Sequence, residues 1–179
     1  MLKKEQVGLL VVDIQGTLAN IVHESELLLT NTVKLIKGAQ ALNLPIVCLE
    51  QNPEKLGRTT PVIFDALAGN KGISKYTFDG CDSPAFIQAL QQSGVSQWLV
   101  CGLEAHVCVY QSTLGLLRLG YEVELVCDCI SSRTAFNKEI AITKLVLNGA
   151  QLTTAEMCLY ELLGTCQAPE FKDILRLIK

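Results

Sequence analysis

The chain has 179 residues, enough for one domain and hardly two, and enough to bury roughly 70% of the surface its unfolded form exposes. Hydrophobic residues make up 49% and charged residues 18%, which excludes a disordered chain and leaves more apolar surface than a small core uses, so self-association is expected. A net charge of −3 with no Lys/Arg run excludes the phosphate-neutralising surface of a nucleic-acid binder.

Only six residues precede the first apolar run, too few for a secretory signal, and the run itself, 7–14, is about half the length of a membrane span. A soluble, cytoplasmic protein without a membrane partner is expected. Eight cysteines are present, at 48, 81, 101, 108, 127, 129, 158 and 166. A chain of this length without a signal peptide does not need a disulfide framework, and Cys-x-x-Cys spacing is absent. Most of them read as reduced thiols acting as small core hydrophobes.

Strand-length apolar runs alternate with helical patterns along the chain. Residues 7–12 are apolar on both faces and read as a buried strand. A helical pattern covers 24–42 and stops before Pro45, which opens a second strand over 46–49. A loop rich in Asn, Pro, Gly and Thr follows over 51–61, then a short helix over 62–68 and a short strand over 72–75. Pro84 suits the first position of a helix running to about 92. The second half repeats the rhythm: strand 97–101 ended by Gly102, helix 105–119, strand 122–127, helix 137–147, strand 150–153, helix 156–163 and a last helix over 169–178. Cys127 and Cys129 flank Asp128, a spacing that suits a strand better than a zinc knuckle. Neither linkers nor repeats interrupt the pattern, so residues 1–179 read as one domain. The alternation predicts an α/β fold in three layers, a parallel sheet between helices, with ligands bound beyond the carboxyl ends of the strands.

Three residues at those ends can carry chemistry. Asp13 follows the first strand and is either a proton shuttle or a loop brace. Lys75 ends the third strand and is either a surface lysine or a cation placed to lower a nucleophile's pKa. Cys108 falls in the first turn of the helix after strand four, where the helix dipole and free N–H groups favour a thiolate and can hold an oxyanion. Only two histidines occur, His23 and His106, and no Asp-x-His pair follows strand two, so no catalytic metal is expected. Dinucleotide and P-loop glycine motifs are absent, so no cofactor is expected either.

Asp13, Lys75 and Cys108, together with Gly102-Leu103-Glu104-Ala105-His106-Val107-Cys108-Val109 and Val12-Asp13-Ile14-Gln15, resemble the isochorismatase-like cysteine hydrolases. The resemblance spans nearly the whole chain. Glu50-Gln51-Asn52-Pro53, Leu56-Gly57 and Cys129 to Arg133 look most like the small isochorismatase domain-containing hydrolases. The resemblance implies a six-stranded sheet in the order 3-2-1-4-5-6 and a homo-oligomer. It implies Cys108 as nucleophile, Asp13 as its proton acceptor and Lys75 as the cation between them, acting on a C–N bond of a small-molecule amide. It implies a cis peptide between Leu103 and Glu104 that turns the Glu104 N–H beside that of Cys108 to form an oxyanion hole. Gln15, Gln51, Tyr76, Phe78, Tyr110 and Gln111 are candidates for the substrate pocket. A non-enzymatic scaffold, or a thiol sensor using Cys108, are the competing readings.

Overall fold

The computed structural model describes residues 1–179. β1 (Val7–Val12) is followed by α1 (Leu18–Ile21) and α2 (Ser25–Ala41), and β2 (Ile46–Gln51) by α3 (Pro53–Leu56) and α4 (Pro61–Ala66). β3 (Ile73–Lys75) leads to α5 (Pro84–Ser93), β4 (Gln97–Leu103) to α6 (Tyr110–Arg118) and β5 (Glu122–Ser131) to α7 (Ala135–Leu147). β6 (Gln151–Thr153), α8 (Ala155–Leu163) and α9 (Phe171–Ile178) close the chain. All strand pairs are parallel, in one six-stranded sheet of order β3-β2-β1-β4-β5-β6.

The alternation of β1 builds two cores. Val7, Leu9 and Val11 face α2, α4, α8 and α9, packing with Leu35, Ile36, Ile63, Leu159 and Ile174. Leu10 and Val12 face the other way, toward Phe86 of α5, Leu116 of α6 and Leu145 of α7, with Trp98 of β4 fully buried between. A strand covered on both faces has to be apolar throughout, which is why 7–12 shows no alternation.

Three strands run further than their sequences indicate, and β2 does so by two residues, to Gln51. β4 continues through Gly102 to Leu103, because Gly102 takes φ +137 and lets β1 approach so closely that a Cβ there would sit 2.1 Å from the Val12 carbonyl oxygen. Glycine tolerates that backbone, so it prolongs the strand instead of ending it. β5 extends to Ser131 with a bulge: its partner on β4 shifts from Leu125 opposite Val100 to Ile130 opposite Gly102. The bulge accommodates Asp128, whose carboxylate accepts from the Ala155 N–H at 2.9 Å and from Asn31 Nδ2 at 3.3 Å. Asp128 therefore anchors the start of α8. All eight cysteines are free thiols.

Candidate active site

β1, β2, β3 and β4 end side by side, and each delivers one part of the site. Asp13, directly after β1, adopts the left-handed backbone (φ +53), a conformation Asp tolerates better than most residues. Lys75, the last residue of β3, is fully buried, and its Nζ donates to Asp13 Oδ2 at 2.7 Å, Gln51 Oε1 at 2.7 Å and the Thr77 carbonyl at 3.3 Å. An ammonium has three donors, and these three acceptors use them all. Removing either partner of such a buried pair leaves the other charge uncompensated.

Cys108 lies in a π-helical turn, Ala105–Val109, between β4 and α6. Its thiol is buried with Asp13 and Lys75 close enough to act on its ionisation. Burial pushes its pKa up to about 12 and the Asp13 carboxylate adds to the rise, while the Lys75 charge opposes it. Burial and the neighbouring Asp13 thus work against the thiolate expected from a helix start, and the Lys75 charge works for it. Asp13 Oδ1, buried and without a hydrogen-bond partner, is a free acceptor.

The turn before Cys108 is made without a cis bond: every peptide is trans, including Leu103–Glu104. Glu104 instead takes φ +45, and this left-handed residue redirects the chain from β4 into the π turn. Its N–H donates to no acceptor in the protein. Its carboxylate oxygen Oε2 lies 3.3 Å from Arg133 Nε and 3.6 Å from His106 Nε2, while His106 Nδ1 meets Ser132 Oγ at 3.0 Å. Sequence reasoning used only the backbone of Glu104; its pairing with Arg133, from the end of β5, had no local signal.

A cavity of about 320 Å³ opens in front of these groups. Asp13, Gln15, Gln51, Phe78, Glu104 and Cys108 line it. Tyr76, Tyr110 and Gln111 do not. Tyr76 is 67% exposed, and its carbonyl accepts from Gln51 Nε2 at 2.9 Å. Tyr110 turns to α7, where the Lys144 ammonium sits 4.9 Å from its ring centre. The wall is completed instead by Thr17, Leu18, Lys55, Leu56, Leu103 and Val107, from the β1–α1 turn and the start of α1, α3, the end of β4 and the π turn.

Residues 7–157 match the family model for the isochorismatase domain, far more than half the chain. The chain belongs to the isochorismatase family. A relative of similar length is the isochorismatase domain-containing protein 2 of Bos taurus, 32% identical over 174 residues, covering 96% of this chain and 82% of that one. Among solved structures, one described as the MAR1 ribonuclease of Caenorhabditis elegans shares 34% identity, with a TM-score of 0.93 and 99% and 91% of the two chains covered. The YcaC product of Escherichia coli, described as an octameric hydrolase of unknown specificity, has the same fold at 22% identity, with a TM-score of 0.89 and 99% and 94% covered. Membership of the isochorismatase family points to a hydrolase.

Proposed function

We propose that the protein hydrolyses the C–N bond of a small amide through a thioester on Cys108. The observation that carries this is the buried cluster of a thiol, a carboxylate and an ammonium facing one small cavity. As Sγ attacks the carbonyl carbon, the thiol proton passes to Asp13 and the S–C bond forms. The carbonyl oxygen, now negative, is met by the Glu104 N–H and by the N–H of Cys108 in the first turn. The C–N bond then breaks, Asp13 returns the proton to the departing nitrogen, and ammonia or an amine leaves. Water gives a proton to Asp13 and its oxygen to the thioester. The S–C bond breaks, and Cys108 recovers its proton as the acid departs. Lys75 keeps Asp13 oriented and balances the charge as the thiolate develops.

An RNA substrate, raised by the name of the C. elegans relative, finds little support in a chain of net charge −3 and a cavity of about 320 Å³ walled partly by two carboxylates. Self-association belongs to the same proposal. Phe136 is 69% and Leu147 81% exposed, more apolar surface than an isolated protomer gains from. A light-scattering mass of a single chain at working concentration would remove that part.

The function is tested by incubating the protein with a panel of small primary amides and measuring ammonia. Release by wild type, with a loss of at least about 10³-fold in Cys108→Ala and Asp13→Asn, is the expected outcome. Activity that survives in Cys108→Ala would remove the thioester.

A further inference from the structure

The cavity has more polar groups on its wall than the chemistry above uses, and most are already engaged. Gln15 Nε2 donates to the carbonyls of Gln51 and Gly57, and its Oε1 accepts from the Gln51 N–H at 2.6 Å. The Gln51 amide is divided between Lys75 and the Tyr76 carbonyl. The Glu104 carboxylate faces Arg133 and His106 through Oε2. The free Asp13 Oδ1 and Glu104 Oε1 are acceptors closed off from solvent. Two accessible groups on the wall remain without a hydrogen-bond or ion-pair partner: the Lys55 ammonium and the Thr17 hydroxyl.

Lys55 stands on a fixed wall. The segment that carries it is tied to the end of β1 by Gly16 N–H to the Arg58 carbonyl at 3.3 Å, Gln15 Nε2 to the Gly57 carbonyl at 2.6 Å and Thr60 N–H to the Ile14 carbonyl at 2.9 Å. Gly16, at φ +47, brings the two segments together so tightly that a Cβ there would sit 2.3 Å from the Leu56 carbonyl oxygen. The cavity thus has a buried thiol on one wall and an exposed, unpaired cation on another, with Leu18, Leu56, Phe78 and Val107 as apolar lining.

From this distribution we infer that the substrate carries an anionic group, a carboxylate, at the end remote from the scissile carbonyl. A short apolar body joins the two ends. Lys55 supplies the charge that receives the carboxylate and Thr17 a hydrogen bond. The inference rests on the proposed role of Cys108 and gives that reaction a substrate class, the anionic small amides.

The test uses two alkylating probes, chloroacetylglycine and chloroacetylglycinamide. They share a reactive carbon and differ in a terminal carboxylate against a neutral carboxamide. Alkylation of Cys108 is followed by peptide mass spectrometry at low ionic strength, and the rate ratio of anionic to neutral probe is divided by the ratio for N-acetylcysteine. Wild type is expected to give a normalised ratio of about three or more, falling with added salt. Lys55→Gln should bring it to about one and Lys55→Glu below one. Equal ratios in wild type and both variants, with Cys108 still reactive, would overturn the anionic subsite and leave the nucleophile standing. Labelling of the exposed Cys166 by both probes with Cys108 untouched would instead overturn the nucleophile, and the subsite with it.

Discussion

Lys75 is the residue on which the site's geometry turns, and Gln51 decides where its ammonium sits. With Asp13, Gln51 and Thr77 taking all three donors, Lys75 acts on Cys108 by its charge, from a fixed point. Replacing Gln51 by Leu leaves one of those donors buried and unmatched. The expected result is a fall in the acylation rate of Cys108 of roughly 10- to 100-fold with the fold retained, read by stopped-flow kinetics. Gln51→Glu adds a second carboxylate beside the ammonium and the thiol, so the Cys108 pKa moves further up. The pH profile of Cys108 alkylation should then shift to higher pH, and an unchanged profile in both variants would show that Gln51 only fills space. The positions of Asp13, Lys75 and Cys108 at the carboxyl end of the sheet were legible in the sequence because each lies at or shortly after the end of a recognisable strand. The raised thiol pKa was not, since it depends on burial and on Asp13, 95 residues away in the chain. Nor was the role of Gln51, which the sequence offered only as pocket wall, since nothing local shows that its amide spans β2 and β3.

At the scale of elements, the ends of β4 and β5 place the nucleophile. Gly102 allows β4 to run two residues past the point where a glycine is usually read as a stop, and Glu104 then makes the turn with a left-handed backbone. Gly102→Ala meets both a forbidden φ and the Val12 backbone, and the loss of stability is expected to be roughly 3 kcal/mol or more, measured by urea unfolding. A loss under about 0.5 kcal/mol would mean that β1 and β4 can separate there without harm. The sequence located every strand to within a few residues. It missed the bulge in β5 because a bulge is a matter of pairing with β4 and leaves the apolar pattern of β5 itself intact. The short helices α1 and α3, four residues each, are too brief for a helical period to show: α3 lay in the stretch 51–61 read as loop, and α1 in a stretch that was given no element.

For the whole molecule, the two-sided core was plain in the unbroken apolar runs of β1 and β4, and so was the parallel sheet in the strand–helix rhythm. The strand order came from the family resemblance, and rhythm alone does not specify it. The thiols in that core make a further prediction. Cys48, Cys101, Cys129 and Cys158 are buried, and burial pushes each thiol pKa above its ordinary value, Cys48 to about 12. In the unfolded chain they ionise near pH 9, so above that pH the unfolded state has fewer protons than the folded one. Stability is therefore full below about pH 9 and falls as pH rises, by up to about 1.4 kcal/mol per pH unit for each such thiol. Denaturation midpoints between pH 8 and 10.5 should show a steep decline. Cys158→Ala, though less stable throughout, should show a shallower one, and a flat profile would contradict the burial of these groups as thiols.

All of these scales meet at Cys108, and one measurement tests its role without knowledge of the natural substrate. The protein is mixed with p-nitrophenyl acetate, quenched within the first turnover, digested and mapped by mass spectrometry. The predicted result is a burst of p-nitrophenol and an acetyl group on Cys108, with a much smaller burst in Asp13→Asn and Lys75→Met. Acetylation confined to the exposed Cys166, or a burst unchanged in Cys108→Ala, would contradict a nucleophilic Cys108.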